Sequence, residues 1–154
     1  MFKSKLLLTV LLFSCIAKAQ SANREYNRAL ADSLGADEYG MKAYVLVILK
    51  TGSNTSESEK TVDSLFHGHL NNIGRLASQG KLVLAGPFLK NNDENYRGIF
   101  ILNVKTVDEA NALLVTDPAI KAKLLEPVVF QWYGTAVLPL IPKLHEEVQK
   151  TKIE

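Results

Sequence analysis

Residues 42–50 read KAYVLVILK, seven consecutive apolar residues between two lysines. The run has strand length and is rich in β-branched and aliphatic side chains, so it is predicted to be a strand. No polar residue alternates within it. A strand built from it is apolar on both faces, sits inside a sheet and needs cover on both sides. Three further segments have strand character: Lys81 to Ala85, ended by Gly86-Pro87, then YRGIFILNV from Tyr96, and VVFQWYGTAV from Val128.

The segments between them have a different period. Thr61 to Gln79 is predicted to be a helix, with Gly80 placed for a left-handed cap. Thr106-Val107-Asp108-Glu109 reads as a capping box opening a helix over 107–115. Asp117-Pro118 restarts a short helix, with the aspartate as cap and proline in the first turn, and Pro127 is expected to end it. The order β-α-β-β-α-β is that of a ferredoxin-like α+β sandwich, two helices on one face of a four-stranded antiparallel sheet. The other face then needs a partner. A second copy of the chain, sheet to sheet, is the expected cover, because two-fold dimers are the commonest oligomers.

The first 19 residues, MFKSKLLLTVLLFSCIAKA, have a lysine-bearing start, a short apolar core and an Ala-Lys-Ala end, the layout of a secretory signal peptide. Cleavage after Ala19 is expected, giving a periplasmic protein; the alternative is a lipoprotein anchored through Cys15. Residues 20–41 then read as an N-terminal arm, 42–137 as the folded domain and 138–154 as a C-terminal arm with a short helix around 143–150. Taking 19 residues from 154 leaves 135, one ordinary domain. The leader carries Lys3, Lys5 and Lys18 and no acid, so basic residues fall from 18 to 15 against 16 acidic ones, and the net charge moves from +2 to −1. Nothing in that balance points to nucleic acid or to a basic membrane-binding face. Cys15 is the only cysteine, so the mature chain has neither disulfides, thiolate catalysis nor cysteine-held zinc.

Two of the three histidines lie at His67 and His69. On a helix, positions two apart are about 200° apart around the axis, so this pair does not chelate. His69 falls on the apolar stripe of Val62, Leu65, Phe66, Leu70, Ile73, Leu76 and Ala77; His67 falls off it and is expected in solvent, as is His145 in the charged tail. A buried imidazole requires a hydrogen-bond partner. It is either a core histidine bonded to a backbone carbonyl or an acid/base group lining a cleft between helix and sheet. Asp117 is the candidate partner, though an aspartate before proline also has an ordinary structural role as a helix cap.

These residues resemble the YciI-like, or YCII-related, domain family. The resemblance rests on His69-Leu70, Gly80-Lys81-Leu82, Leu84-Ala85-Gly86-Pro87, Gly98-Ile99-Phe100-Ile101, Thr116-Asp117-Pro118, Glu126-Pro127 and VVFQWYGTA, across residues 42–136. It implies a dimeric α+β barrel and a site formed by His69 and Asp117. It also implies kinship with small enzymes of aromatic degradation, such as dehydrochlorinases and muconolactone-isomerase-like proteins.

The leading expectation is a cofactor-free, metal-free lyase or isomerase that moves a proton on a small-molecule ligand. His69 would be the acid/base and Asp117 its support, with Phe88, Trp132 or Tyr44 as candidates to line the pocket. The alternatives are a non-catalytic ligand-binding or assembly module, and metal binding through His69 and Asp117. A histidine within reach of Asp117 beside an open pocket favours the enzyme; a sealed histidine bonded only to backbone favours the module.

Overall fold

A computed structural model describes residues 25–151, so the leader and Cys15 lie outside the described residues. The elements run α1 (Arg28–Leu34), β1 (Met41–Thr51), α2 (Glu59–Ser78), β2 (Leu82–Pro87), β3 (Tyr96–Leu102), α3 (Val107–Leu114), α4 (Pro118–Lys121), β4 (Leu125–Thr135), a 3-10 turn (Leu138–Leu140) and α5 (Ile141–Val148). The sheet order is β2-β3-β1-β4 and every pairing is antiparallel, which is the ferredoxin-like α+β arrangement. The strand read from KAYVLVILK is one of the two central ones, as its uninterrupted apolar character requires.

Local chemistry sets the helix ends. Ser58 caps α2 through its side chain, and Gly80 follows the helix at φ 66°, where a side chain would be strained. Thr106 and Glu109 form the expected capping box of α3. Asp117 caps α4 by accepting from Ala119 N and Ile120 N.

Strand parity divides the core in two. Val45, Val47 and Leu49 of β1 pack with Phe100 and Leu102 of β3, with Leu76 of α2 and with Ala110 and Leu114 of α3. Tyr44 points to the opposite face, where it meets Val83, Ile101 and Leu138, with Leu46, Trp132 and Ile141 beside them.

The structure departs from the sequence reading at two places that matter for the site. β4 begins at Leu125 and runs through Pro127, which was expected to close the preceding helix. Proline is tolerated there because β4 is an edge strand, where the missing N–H faces no neighbour. The C-terminal segment is also more than an arm. Leu138, 7% exposed, inserts into the second core beside Tyr44, and the chain continues into α5 against β2. The chain thus covers one end of its own open sheet face.

Leu138→Ala is therefore expected to cost about 2–4 kcal/mol in chemical denaturation, the range for emptying a buried leucine site. Leu144→Ala, at an exposed position of the same tail, is expected to change stability by no more than about 0.5 kcal/mol. Equal, small effects would show that the tail contributes nothing to the core.

Candidate active site

His69 sits just past the middle of α2 on the face turned to the sheet and is 8% exposed. Its ring stacks on Phe100 of β3, centroids 5.8 Å apart at 24°, and meets Phe66 edge-on at 6.0 Å. These contacts fix the ring plane. Asp117, 48 positions further on and 1% exposed, meets it: Nδ1 and Oδ2 are 2.7 Å apart. His67 is exposed and, among the described residues, its side chain bonds only to Asn71 of its own helix, so helical geometry separates the two histidines as expected.

Gly68, between the two histidines, explains how α4 comes so close. A Cβ there would lie 2.9 Å from Pro118 Cγ, inside van der Waals contact. Glycine inside a helix costs about 1 kcal/mol relative to alanine. Here it lets the first turn of α4 lie directly on α2, and the cap residue of that turn is Asp117.

The Asp117 carboxylate is divided between two tasks. Oδ1 accepts from Ala119 N at 2.9 Å and Ile120 N at 3.2 Å, closing the start of α4. Oδ2 accepts from the His69 ring and, at 3.4 Å, from Asn72 Nδ2. Burial pushes this carboxyl up. The hydrogen bond and charge of His69 and the Ile120 and Ala119 amides outweigh that push, so the group lies below the ordinary carboxylate value and is ionised at neutral pH. An ionised carboxylate only accepts, so Nδ1 of His69 carries the hydrogen. In the neutral ring Nε2 is then the basic nitrogen, with its lone pair free.

A second layer supports the pair. Arg75 donates to Asn72 Oδ1 at 2.6 Å and to Thr116 Oγ1 at 2.8 Å; Thr116 in turn donates to Leu113 O at 2.6 Å and lies 3.1 Å from Asn72 Oδ1. Sequence reasoning missed Asn72. The signal was present: it stands three residues after His69, on the same helical face, as a polar residue in an apolar stripe.

His69 borders a cavity of about 570 Å³ between α2, the ends of β2 and β3, and α5. Its walls are largely apolar, with Leu49, Phe66, Leu70, Ile73 and Phe100 around the ring. This is the size and character of a small-molecule site. The expected lining aromatics are not there. Tyr44 donates through its hydroxyl to Thr135 O and packs on Trp132 on the other sheet face, while Phe88 pairs with Tyr96. Phe66 and Phe100 line the cavity instead. His145 is exposed as expected, yet α5 brings it to the same cavity, together with Glu146. Among the described residues no group of three or more His, Cys, Asp or Glu is placed to hold a metal ion.

Comparison with known proteins places this geometry in context. A family model described as a YCII-related domain matches residues 44–132. No curated protein matches the chain. Among solved structures it is similar to 5-chloro-2-hydroxyhydroquinone dehydrochlorinase (TftG) from Burkholderia phenoliruptrix AC1100, in complex with 2,5-dihydroxybenzoquinone. The identity is 20%, over 57% of this chain and 92% of that one, with a TM-score of 0.43.

Substitution of Asp117 separates its two tasks. Asparagine caps helices as well as aspartate does, so Asp117→Asn is expected to keep most of the stability. Asp117→Ala loses the cap and leaves the His69 N–H and Asn72 without an acceptor, at about 2–4 kcal/mol in denaturant titration. The carboxyl is lowered in the folded state, so its contribution is present above the ordinary value of 3.8 and is lost as pH falls through the lower folded-state value. The wild type should lose stability over that acid range relative to Asp117→Asn. Parallel pH profiles would contradict the assignment.

Proposed function

This chain belongs to the YCII-related domain family, and on that premise we propose that it is an enzyme that moves a proton on a small molecule, as a lyase or isomerase. The observation that carries the reading is the 2.7 Å contact from Asp117 to Nδ1 of a histidine that lines a cavity. It leaves Nε2 as the base directed at a ligand. The arrangement meets the condition that favours an enzyme over an assembly module, since His69 is neither sealed nor bonded only to backbone.

The chemistry is of a kind that an imidazole and a carboxylate perform by themselves. Nε2 takes a proton from a carbon made acidic by a neighbouring carbonyl or ring, and His69 becomes an imidazolium. Asp117, fixed by two backbone amides, stabilises that cation and holds the ring's orientation. In an isomerase the same nitrogen returns the proton at another carbon; in a lyase the C–H electron pair becomes a double bond as a neighbouring group departs with its bonding pair, and the imidazolium gives its proton to that group or to water. The apolar walls limit access of water and strengthen the electrostatics of the pair. A positioned general base contributes about 10²–10⁴ in rate.

The test is hydrogen–deuterium exchange at acidic C–H positions, followed by NMR in D₂O over a panel of cyclic enones and lactones. Wild type is expected to catalyse exchange in at least one compound, and His69→Gln to lose about 100-fold or more of that rate with an unchanged circular dichroism spectrum. Equal exchange by both proteins, or none above buffer with wild type, would remove the proposed role.

We also propose that the open sheet face is closed by a second copy of the chain. Leu46, Ile48, Ile99 and Val128 are only half-buried there, and Phe130, opposite Leu46, is 47% exposed. Sedimentation equilibrium is expected to give twice the chain mass for wild type and a monomer for Phe130→Glu. A wild-type monomer would contradict the dimer.

A further inference from the structure

The cavity does not end at His69. It continues over the edge of the sheet, where β2 and β3 present Ala85, Gly86, Pro87 and Gly98 rather than bulky side chains, and reaches α5. Ala85 pairs with Phe100, so its small side chain lies on the His69 face of the sheet, whereas Gly86 pairs with Ile99 and borders open space on the other face. Arg97, an exposed residue of β3, lines the same cavity.

The guanidinium of Arg97 has no hydrogen-bond or ion-pair partner among the described residues. The ion pairs there are Arg28–Asp32 and His69–Asp117, and Arg97 is not among the residues with further contacts. Glu146 borders the same cavity from α5 but does not approach Arg97 within ion-pair distance. By contrast Arg75, on the outer side of α2, is fully engaged with Asn72, Thr116 and Gln79. An unpaired arginine at the border of an apolar cavity is matched to one kind of ligand group. Its planar fork fits a carboxylate with two parallel hydrogen bonds. A phosphate dianion suits the site less, because Glu146 adds a negative charge nearby and there is no second lysine or arginine in the lining.

The geometry points to Arg97 as the specificity residue of the site, receiving a carboxylate on a small ligand whose other, apolar part lies past Ala85 toward Nε2 of His69. This rests on the reading of the cavity as the ligand site of a proton-transfer enzyme, and it narrows the substrate class to small, single-ring carboxylic acids. Arg97 positions the ligand; His69 remains the reacting group.

Binding of benzoate and of benzamide, its uncharged isostere, to the full chain tests this, read by ligand-detected NMR titration. Wild type is expected to prefer benzoate by about two- to fivefold, the size of a solvent-accessible charge-assisted contact. Arg97→Met should lose that preference while keeping its affinity for benzamide, and Arg97→Lys should keep part of it. Ala85→Leu, which fills the cavity on the His69 face and leaves His69 and Asp117 in place, should weaken both probes. Equal preference in wild type and Arg97→Met overturns the assignment of Arg97 alone. Unchanged affinities in Ala85→Leu overturn the placement past Ala85. Failure of both probes to bind wild type overturns the inference together with the reading of the cavity as a ligand site.

Discussion

One buried carboxylate organises this molecule around its candidate site. Asp117 starts a helix with one oxygen and holds a histidine with the other. Because it is both cap and partner, the position of α4 and the direction of the His69 ring are a single structural fact. Gly68 makes the meeting sterically possible, and the stack on Phe100 sets the ring against the sheet. Asn72, Thr116 and Arg75 satisfy the remaining polar atoms, and no buried side-chain nitrogen or oxygen among the described residues lacks a partner. A buried charge is tolerated only under such conditions.

The sheet supplies the frame and the tail completes it. The helix-side core holds α2 at a fixed height above β1 and β3, which sets the depth of the cavity under His69. The tail crosses to the opposite face, where Leu138 anchors it, and α5 returns along β2 to form the far wall. The Ala-Gly-Pro end of β2 keeps that path open by absence of bulk. A segment that reads as an appendage therefore borders the candidate site.

Much of this is legible in the chain, for identifiable reasons. Periodicity on α2 separates His67 from His69, because a helix turns them to different faces. Asp-Pro announces a helix start at Asp117. What periodicity cannot give is a contact across 48 positions: the residues nominate Asp117 as a partner, and the family resemblance implies a site formed by the two. The edge strand concealed itself behind Pro127, since proline signals a helix end and an edge strand equally well. The lining aromatics were misjudged because one residue of strand phase exchanges the two faces of a sheet. Tyr44 and Trp132 lie opposite the site for that reason. Leu138 gave little signal, because a single leucine beyond the last strand has no pattern around it.

The central claim is that Asp117 holds His69 with its hydrogen on Nδ1 and its lone pair on Nε2, toward the cavity. Long-range ¹⁵N–¹H correlation NMR reads the tautomer of each histidine directly. At neutral pH the spectrum of the wild type should show His69 with Nδ1 protonated and Nε2 unprotonated, and Asp117→Asn should invert that pattern, because the asparagine amide donates where the carboxylate accepted. A wild-type His69 protonated on Nε2, or a tautomer indifferent to Asp117→Asn, would contradict the account.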